Sequence, residues 1–313
     1  MIRLAIVAPC YNEEAVLRSS ATRLTEVLRT LMEKQKITDD SYMLFVNDGS
    51  RDNTWNIIKA LHTENPLAKG LNLARNVGHQ YAIYAGMMQA KDMSDAVITI
   101  DADLQDDLSC IEQMVDASYE GSDVVYGVKT ERDADSRLKR MSAQMFYKLQ
   151  HKMGVDMIYN HADFRFMSRR ALEALSEYPE RNIYLRGLIP QIGFPSTTVD
   201  DRISERQAGE SKYTLSKMLT LALDGITSFS MKPLYYLIGV GIAFIVISMI
   251  IAGYVVYSLI SGSAEHGWAS IMLSIWLVGG CLLIASGILG VYLGKVYSEV
   301  KQRPRYHIQD FLD

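Results

Sequence analysis

Asp101-Ala102-Asp103, with Gln105 and Asp106 just behind, is the group of residues in this chain best suited to chemistry. Two carboxylates one residue apart are hard oxygen ligands for a divalent cation such as Mg2+ or Mn2+. A cation held by so few protein ligands keeps open positions and commonly shares its shell with phosphate oxygens. The residues ahead of the pair, Val97, Ile98 and Ile100, are apolar and β-branched, the pattern of a buried strand. The acidic pair therefore falls at a strand's carboxyl end, where open α/β sheets collect ligands. Taken alone, Asp-x-Asp is more often a solvated acidic turn. The rest of the chain shifts that balance.

The flanking elements read as repeated strand-helix units. Leu4 to Ala8 predicts a buried strand ending in Pro9-Cys10-Tyr11-Asn12-Glu13-Glu14. Asn12 is placed to cap the next helix, expected to run to about Lys34, and Glu13 and Glu14 suit its positive end. Tyr42 to Val46 predicts a second strand, ending in Asn47-Asp48-Gly49-Ser50, with a helix starting at Asp52-Asn53-Thr54. Lys69 to Leu73 predicts a third, ending in Ala74-Arg75-Asn76-Val77-Gly78, followed by a helix from His79 to Ala90. Beyond the acidic pair come a helix over Ile111 to Tyr119 and a strand over Asp123 to Val128. This alternation predicts an α/β, Rossmann-like domain with a mostly parallel sheet. Its first turn lacks the GxGxxG of dinucleotide-binding dehydrogenases, which argues against a Rossmann oxidoreductase.

After Val128 the pattern loosens. Lys129, Arg132, Arg137, Lys139 and Arg140 mix with Glu131, Asp133 and Asp135, either as a solvated face or as a loop that closes over phosphate. A helix over Leu138 to about Met153 is expected next. Asp163 and Arg165 then alternate with Phe164 and Phe166, so a strand would place the charged pair on one face and the aromatic pair on the other. Such a pair is as readily structural as catalytic. A strand over Ser196 to Ile203 leads to Arg206-Gln207-Ala208-Gly209-Glu210-Ser211-Lys212-Tyr213. The following helix carries Leu215, Met218, Leu219, Ala222, Leu223, Ile226 and Phe229 at helical spacing. Its contiguous apolar stripe predicts a helix lying in a membrane interface.

At 313 residues, 49% hydrophobic and 22% charged, the chain has room for one α/β domain and something more. Leu234 to Ile260 and Trp268 to Gly294 contain no Asp, Glu, Lys or Arg, and each exceeds the roughly 20 residues that span a bilayer. Lys212, Lys217 and Lys232 precede the pair, and Lys295, Lys301, Arg303 and Arg305 follow it, while the connecting loop has no basic residue. By the positive-inside rule, both termini face the cytoplasm. Gly239, Gly241, Gly279, Gly280, Gly287 and Gly290 suit close helix packing, within the chain or between copies in a homo-oligomer. Met1-Ile2-Arg3 leads directly into a strand, which predicts no signal peptide. A net charge of −4 argues against nucleic acid as a partner. Cys10, Cys110 and Cys281 are too scattered for a disulfide framework or zinc site.

In their order and spacing, the acidic pair and the five other motifs quoted above resemble the family 2 polyprenyl-phosphate glycosyltransferases, which include dolichol-phosphate mannose synthase and the bactoprenol glucosyltransferases. The paired apolar segments look like the bactoprenol subgroup. This chain departs from the family at Asp107-Leu108, where proline usually follows the acidic motif, at His79, where Lys is common, and at Lys129, where Arg is common.

The resemblance implies a GT-A fold, a nucleotide-sugar donor, with UDP-glucose favoured, and a polyprenyl phosphate acceptor. It places Pro9, Tyr11, Asn12, Glu13, Asp48, Arg75, Asp101 and Ala102 at the donor, with Asp48 on the base or ribose. Asp101, Asp103 and Gln105 would hold Mg2+ or Mn2+. Asp163 falls where the family has its proposed base, and Lys129, Arg132, Arg165, Arg206, Ser211 and Lys212 fall at phosphate. The implied organisation is a cytoplasmic catalytic domain over 1–210, a juxtamembrane helix over 211–232, a transmembrane hairpin over 233–295 and a cytoplasmic tail over 296–313, making a multi-pass cell-membrane protein. Two rival readings are a processive polysaccharide synthase, whose Gln-x-x-Arg-Trp motif is missing here, and a non-catalytic nucleotide-sugar sensor, which would be expected to have lost the carboxylates.

Overall fold

Strand β1 (Leu4–Cys10) is buried at every residue, as are β2 (Tyr42–Asn47) and β4 (Ala96–Thr99), because helices cover both faces of the sheet. These elements belong to a computed structural model that describes residues 1–129, 161–181, 183–201, 232–260 and 267–313. The other strands are β3 (Ala68–Leu73), β5 (Val124–Lys129), β6 (His161–Ser168), β7 (Ser196–Asp201) and β8 (Ile308–Leu312). Together they form one eight-stranded sheet in the order β7-β5-β6-β4-β1-β2-β3-β8. The pairs β1–β2, β1–β4, β2–β3 and β5–β7 are parallel, whereas β6 runs antiparallel between β4 and β5. The α/β, mostly parallel arrangement agrees with the sequence expectation.

Helix α1 (Leu17–Glu33) buries Leu17, Ala21, Leu24, Leu28 and Leu31, an apolar stripe at alternating four- and three-residue spacing. Helices α2 (Thr54–Glu64), α3 (His79–Lys91) and α4 (Ser109–Tyr119) complete the crossovers of the parallel core. Helix α3 lies very close to the sheet. A Cβ at Gly86 would come within 2.4 Å of Val7 Cγ1 and 2.7 Å of Val46 Cγ2. Two short helices, α5 (Arg169–Ser176) and α6 (Leu185–Gln191), follow β6.

Strand order reverses at β1, which has β2 on one side and β4 on the other. In open α/β sheets this switch point makes a crevice outside the carboxyl ends of the strands. Pro9 to Glu13 and Asp101 to Asp103 lie at those ends.

Residues described up to Asp201 form one unit with Arg303–Asp313, and Lys232 to Gln302 fall in a second. The second unit holds α7 (Lys232–Ile260) and α8 (Trp268–Lys301). Among the described residues, one helical segment, Leu277–Lys301, is long and apolar enough to cross a membrane. At every glycine of the expected packing face, an added Cβ would meet nothing within 4 Å among the described residues. The expected tail over 296–313 contains the end of α8 and strand β8, which pairs antiparallel with β3. The helices expected at 138–153 and 215–229 lie outside the described residues.

Candidate active site

The loop after β1 is fastened to the loop after β2. Asn12 takes a left-handed φ of 56°, donates its N–H to Ser50 Oγ (3.0 Å) and accepts the Arg51 N–H at Oδ1 (2.9 Å). Glu13 N–H donates to Thr54 Oγ1 (3.0 Å), and Glu14 N–H to Asp52 Oδ2 (3.2 Å). Asn12 is therefore not the cap expected of it. Helix α1 begins later, after Val16, without a side-chain cap. Pro9 is buried in β1, while Tyr11 is exposed.

Asp48 is also committed to architecture. It is 2% exposed, and its two oxygens accept the N–H groups of Val77 (2.7 Å) and Gly78 (2.9 Å). This holds the 74–78 loop over the turn at Gly49, whose φ is +61°. A Cβ there would lie 2.4 Å from Asn76 N, so only glycine fits. Arg75 is exposed and donates to its neighbour's carbonyl, Asn76 O (3.3 Å).

Beyond β4 the chain turns sharply. Leu104 N–H donates to Asp101 O (3.0 Å) with Leu104 at φ 46°, and Ala102 O accepts Ser20 Oγ–H (2.6 Å). The turn leaves Asp101 and Asp103 open toward solvent, while the Gln105 amide donates to Asp103. Behind it, Lys129 pairs with buried Asp106 (3.1 Å), and Asp107 N–H donates to Asp201 Oδ1 (2.8 Å). Lys129 thus braces the acidic turn rather than reaching outward. Burial lowers its pKa, but Asp106, together with Asp201 and Asp101, more than reverses this and leaves it raised.

The least expected grouping surrounds Asp163, which is 6% exposed. Its carboxylate accepts from Arg165 Nη2 (2.6 Å), Arg186 Nη2 (3.1 Å) and Nε (3.3 Å), and Gln80 Nε2 (3.3 Å). His79 Nε2 lies 3.3 Å from Asp163 Oδ2 and 3.5 Å from Asp101 Oδ1, bridging the two carboxylates. Burial alone would raise the Asp163 carboxyl, but Arg186, His79 and Arg165 hold it well below the usual value. Burial lowers His79, yet Asp163 and Asp101 more than reverse this and leave it raised.

Asp101, unlike Asp163, is pushed up to about 6, through desolvation and then repulsion from Asp163, Asp106 and Asp103, with His79 opposing. Its side chain is 51% exposed at the mouth of the turn, and that solvent access tempers the shift. His79, Gln80 and Arg186 complete the site from α3 and α6; the sequence marked His79 only as a family departure and did not flag the other two. Arg132, Arg206, Ser211 and Lys212 lie outside the described residues.

The sequence pattern of glycosyl transferase family 2 matches residues 5–176. The chain belongs to glycosyl transferase family 2. Over 305 residues, this glycosyltransferase is 47% identical to the uncharacterized glycosyltransferase YkoT of Bacillus subtilis (strain 168), covering 97% of this chain and 90% of that protein. Over 311 residues, it is 37% identical to the SfII prophage-derived bactoprenol glucosyl transferase of Shigella flexneri, covering 98% of each. A solved mannosyltransferase of Pyrobaculum calidifontis, in complex with GDP-Man and Mn2+, matches with a TM-score of 0.50 and 16% identity, over 96% of this chain and 87% of that one. At that identity the likeness speaks for the shared GT-A fold alone.

Proposed function

We propose that this glycosyltransferase moves a sugar from a nucleotide sugar, UDP-glucose being favoured, to polyprenyl phosphate with inversion at the anomeric carbon. The observation that carries this reading is the state of Asp163. A carboxylate that accepts hydrogen bonds from the Arg186 and Arg165 guanidinium groups, and is held low in pKa by Arg186, His79 and Arg165, is a poor proton acceptor, so the floor of the crevice suits an acceptor that arrives already ionised. A phosphate monoester, with a second pKa of about 6, is such an acceptor. Its oxygen attacks the anomeric carbon, the bond from that carbon to the diphosphate breaks, and the electron pair leaves with the nucleoside diphosphate. The end-to-end match to a bactoprenol glucosyl transferase supports the same acceptor.

Asp101 and Asp103, with the Gln105 amide oxygen, are a donor set that fits Mg2+ or Mn2+. Among the described residues no cage of three or more His, Cys, Asp or Glu side chains forms, which suits a cation that completes its shell with diphosphate oxygens. Such a cation, when bound, neutralises charge on the leaving group. His79 and Gln80 keep Asp163 beside Asp101, and Lys129 with Asp106 steadies the turn. We assign α7 as a second membrane span alongside Leu277–Lys301, with the catalytic unit and both termini in the cytoplasm, where nucleotide sugars are available.

Purified full-length protein incubated with undecaprenyl phosphate, Mg2+ or Mn2+, and a panel of UDP- and GDP-sugars tests the proposal. A glycosylated lipid phosphate in the mass spectrum, strongest with UDP-glucose, is the expected product. Absence of any lipid-linked sugar across the panel overturns the acceptor, and a different preferred donor overturns the sugar.

A further inference from the structure

Arg305 follows shortly after the end of α8 and is engaged on three sides. Its guanidinium sits 4.7 Å from the centroid of the Tyr84 ring, and Nη1 donates to the Tyr84 hydroxyl (2.5 Å). Nη2 donates to two main-chain carbonyls, Tyr178 O (2.7 Å) and Glu180 O (2.7 Å). Tyr306 meets the same ring edge-on at 6.5 Å. The chain beyond stays fastened: Ala74 N–H donates to His307 O (2.9 Å), and Asn72 Nδ2 donates to Asp310 Oδ2 (3.0 Å) while its Oδ1 accepts from Asn47 (2.7 Å).

The two carbonyls that Arg305 grips lie between α5 and α6, the stretch that delivers Arg186. Downstream of them, Arg181 O accepts the Tyr81 hydroxyl (2.5 Å), and Leu185 N–H donates to Gln80 Oε1 (3.1 Å). Gln80 also touches Asp163, as does Arg186. Arg305 and Asp163 are thus ends of one connected path, in which α3 supplies Tyr84, Tyr81 and Gln80.

We infer that Arg305 is a positioning residue for glycosyl transfer, setting the approach of α6 and with it the Arg186–Asp163 contact; as a claim about transfer, the inference rests on the function proposed above. A guanidinium suits this task because its rigid, planar fork can reach both carbonyls while its face stacks on Tyr84. Its contacts are to main chain and ring, so its effect on the reaction passes through the position of the α5–α6 segment.

The test uses full-length protein in detergent micelles with the single variants Arg305→Ala, Arg305→Lys and Arg186→Ala and the Arg305→Ala/Arg186→Ala double variant. Hydrogen exchange is followed over 174–189 and, as an internal control, over β1 and β2. Arg305→Ala is expected to speed exchange in 174–189 but not in β1 or β2, and to lower kcat about tenfold with donor KM little changed. Arg305→Lys, which keeps the charge, should recover part of both. In the Arg186→Ala background, removing Arg305 should add no further loss, since coupled residues are non-additive. Unchanged exchange in 174–189 for both Arg305 variants, or fully additive losses in kcat, overturns the inference. If the wild type transfers no sugar, the proposed function falls, and the exchange data alone then uphold or sink the structural link.

Discussion

Arg186 meets Asp163 fork to fork, with Nε 3.3 Å from Oδ1 and Nη2 3.1 Å from Oδ2. Arg165 adds a third charged donor at 2.6 Å from within β6 itself. A carboxylate so surrounded keeps its charge over the whole physiological range. It has little tendency to take up a proton.

The pH behaviour of Asp163→Asn follows. The native carboxyl sits well below its ordinary value, so it is ionised at pH 6 and at pH 8 alike and exchanges no proton between them. The asparagine variant is expected to retain measurable transfer, with a defect relative to wild type that stays constant over that interval. Initial rates with saturating lipid phosphate check this, and strong alkaline rescue of the variant would restore Asp163 as an obligatory base.

Removing the cation should stop transfer. Chelation by EDTA is expected to abolish activity in the wild type, and added Mg2+ or Mn2+ should restore it. Asp103→Asn should lose transfer while melting close to the wild-type temperature, because Asp103 is exposed and its loss leaves no buried charge uncompensated. Full activity in EDTA would remove the metal assignment.

Gly86→Ala tests how tightly α3 lies on the sheet. Alanine in a helix interior gains about 0.5–1 kcal/mol over glycine, but forcing a methyl into a packed core costs roughly 1–3 kcal/mol. The two close contacts, to Val7 and Val46, are with side chains of buried central strands, so overpacking should win. Urea denaturation should show a net loss of about 1–2 kcal/mol. A gain in stability would mean that the helix can move away from the sheet at little cost.

Membrane topology is checked by cysteine labelling in cells, in a background where Cys281 is replaced by serine; Cys10 and Cys110 are buried. Gly267→Cys is expected to react with a membrane-impermeant maleimide from outside, and Gln309→Cys only after lysis. The opposite pattern would put the catalytic unit on the wrong side for cytoplasmic donors.

The sheet core was legible because each strand-helix unit carries its own local signal, and Asp101 and Asp103 fall at a carboxyl end by that logic. The surroundings of Asp163 were not legible. Its partners come from the first turn of α3 and from α6, far apart in sequence, and they converge only because antiparallel β6 is inserted between β4 and β5. The surroundings of Asp48 were not legible either. Its hydrogen bonds to Val77 and Gly78 depend on a close approach of two loops that no local pattern encodes. Strand β8 was hidden for a simpler reason: five residues after a long apolar helix offer too little periodicity to stand out.

That placement of β8 has a consequence for synthesis. The strand that covers the outer edge of β3 is encoded after both apolar helices, so a ribosome delivers those helices before the strand that completes the sheet exists. Until then β3 presents a bare row of backbone donors and acceptors, the kind of edge that recruits foreign strands. The catalytic unit therefore reaches its finished form only once the segment following α8 has been translated and has returned to pair with β3.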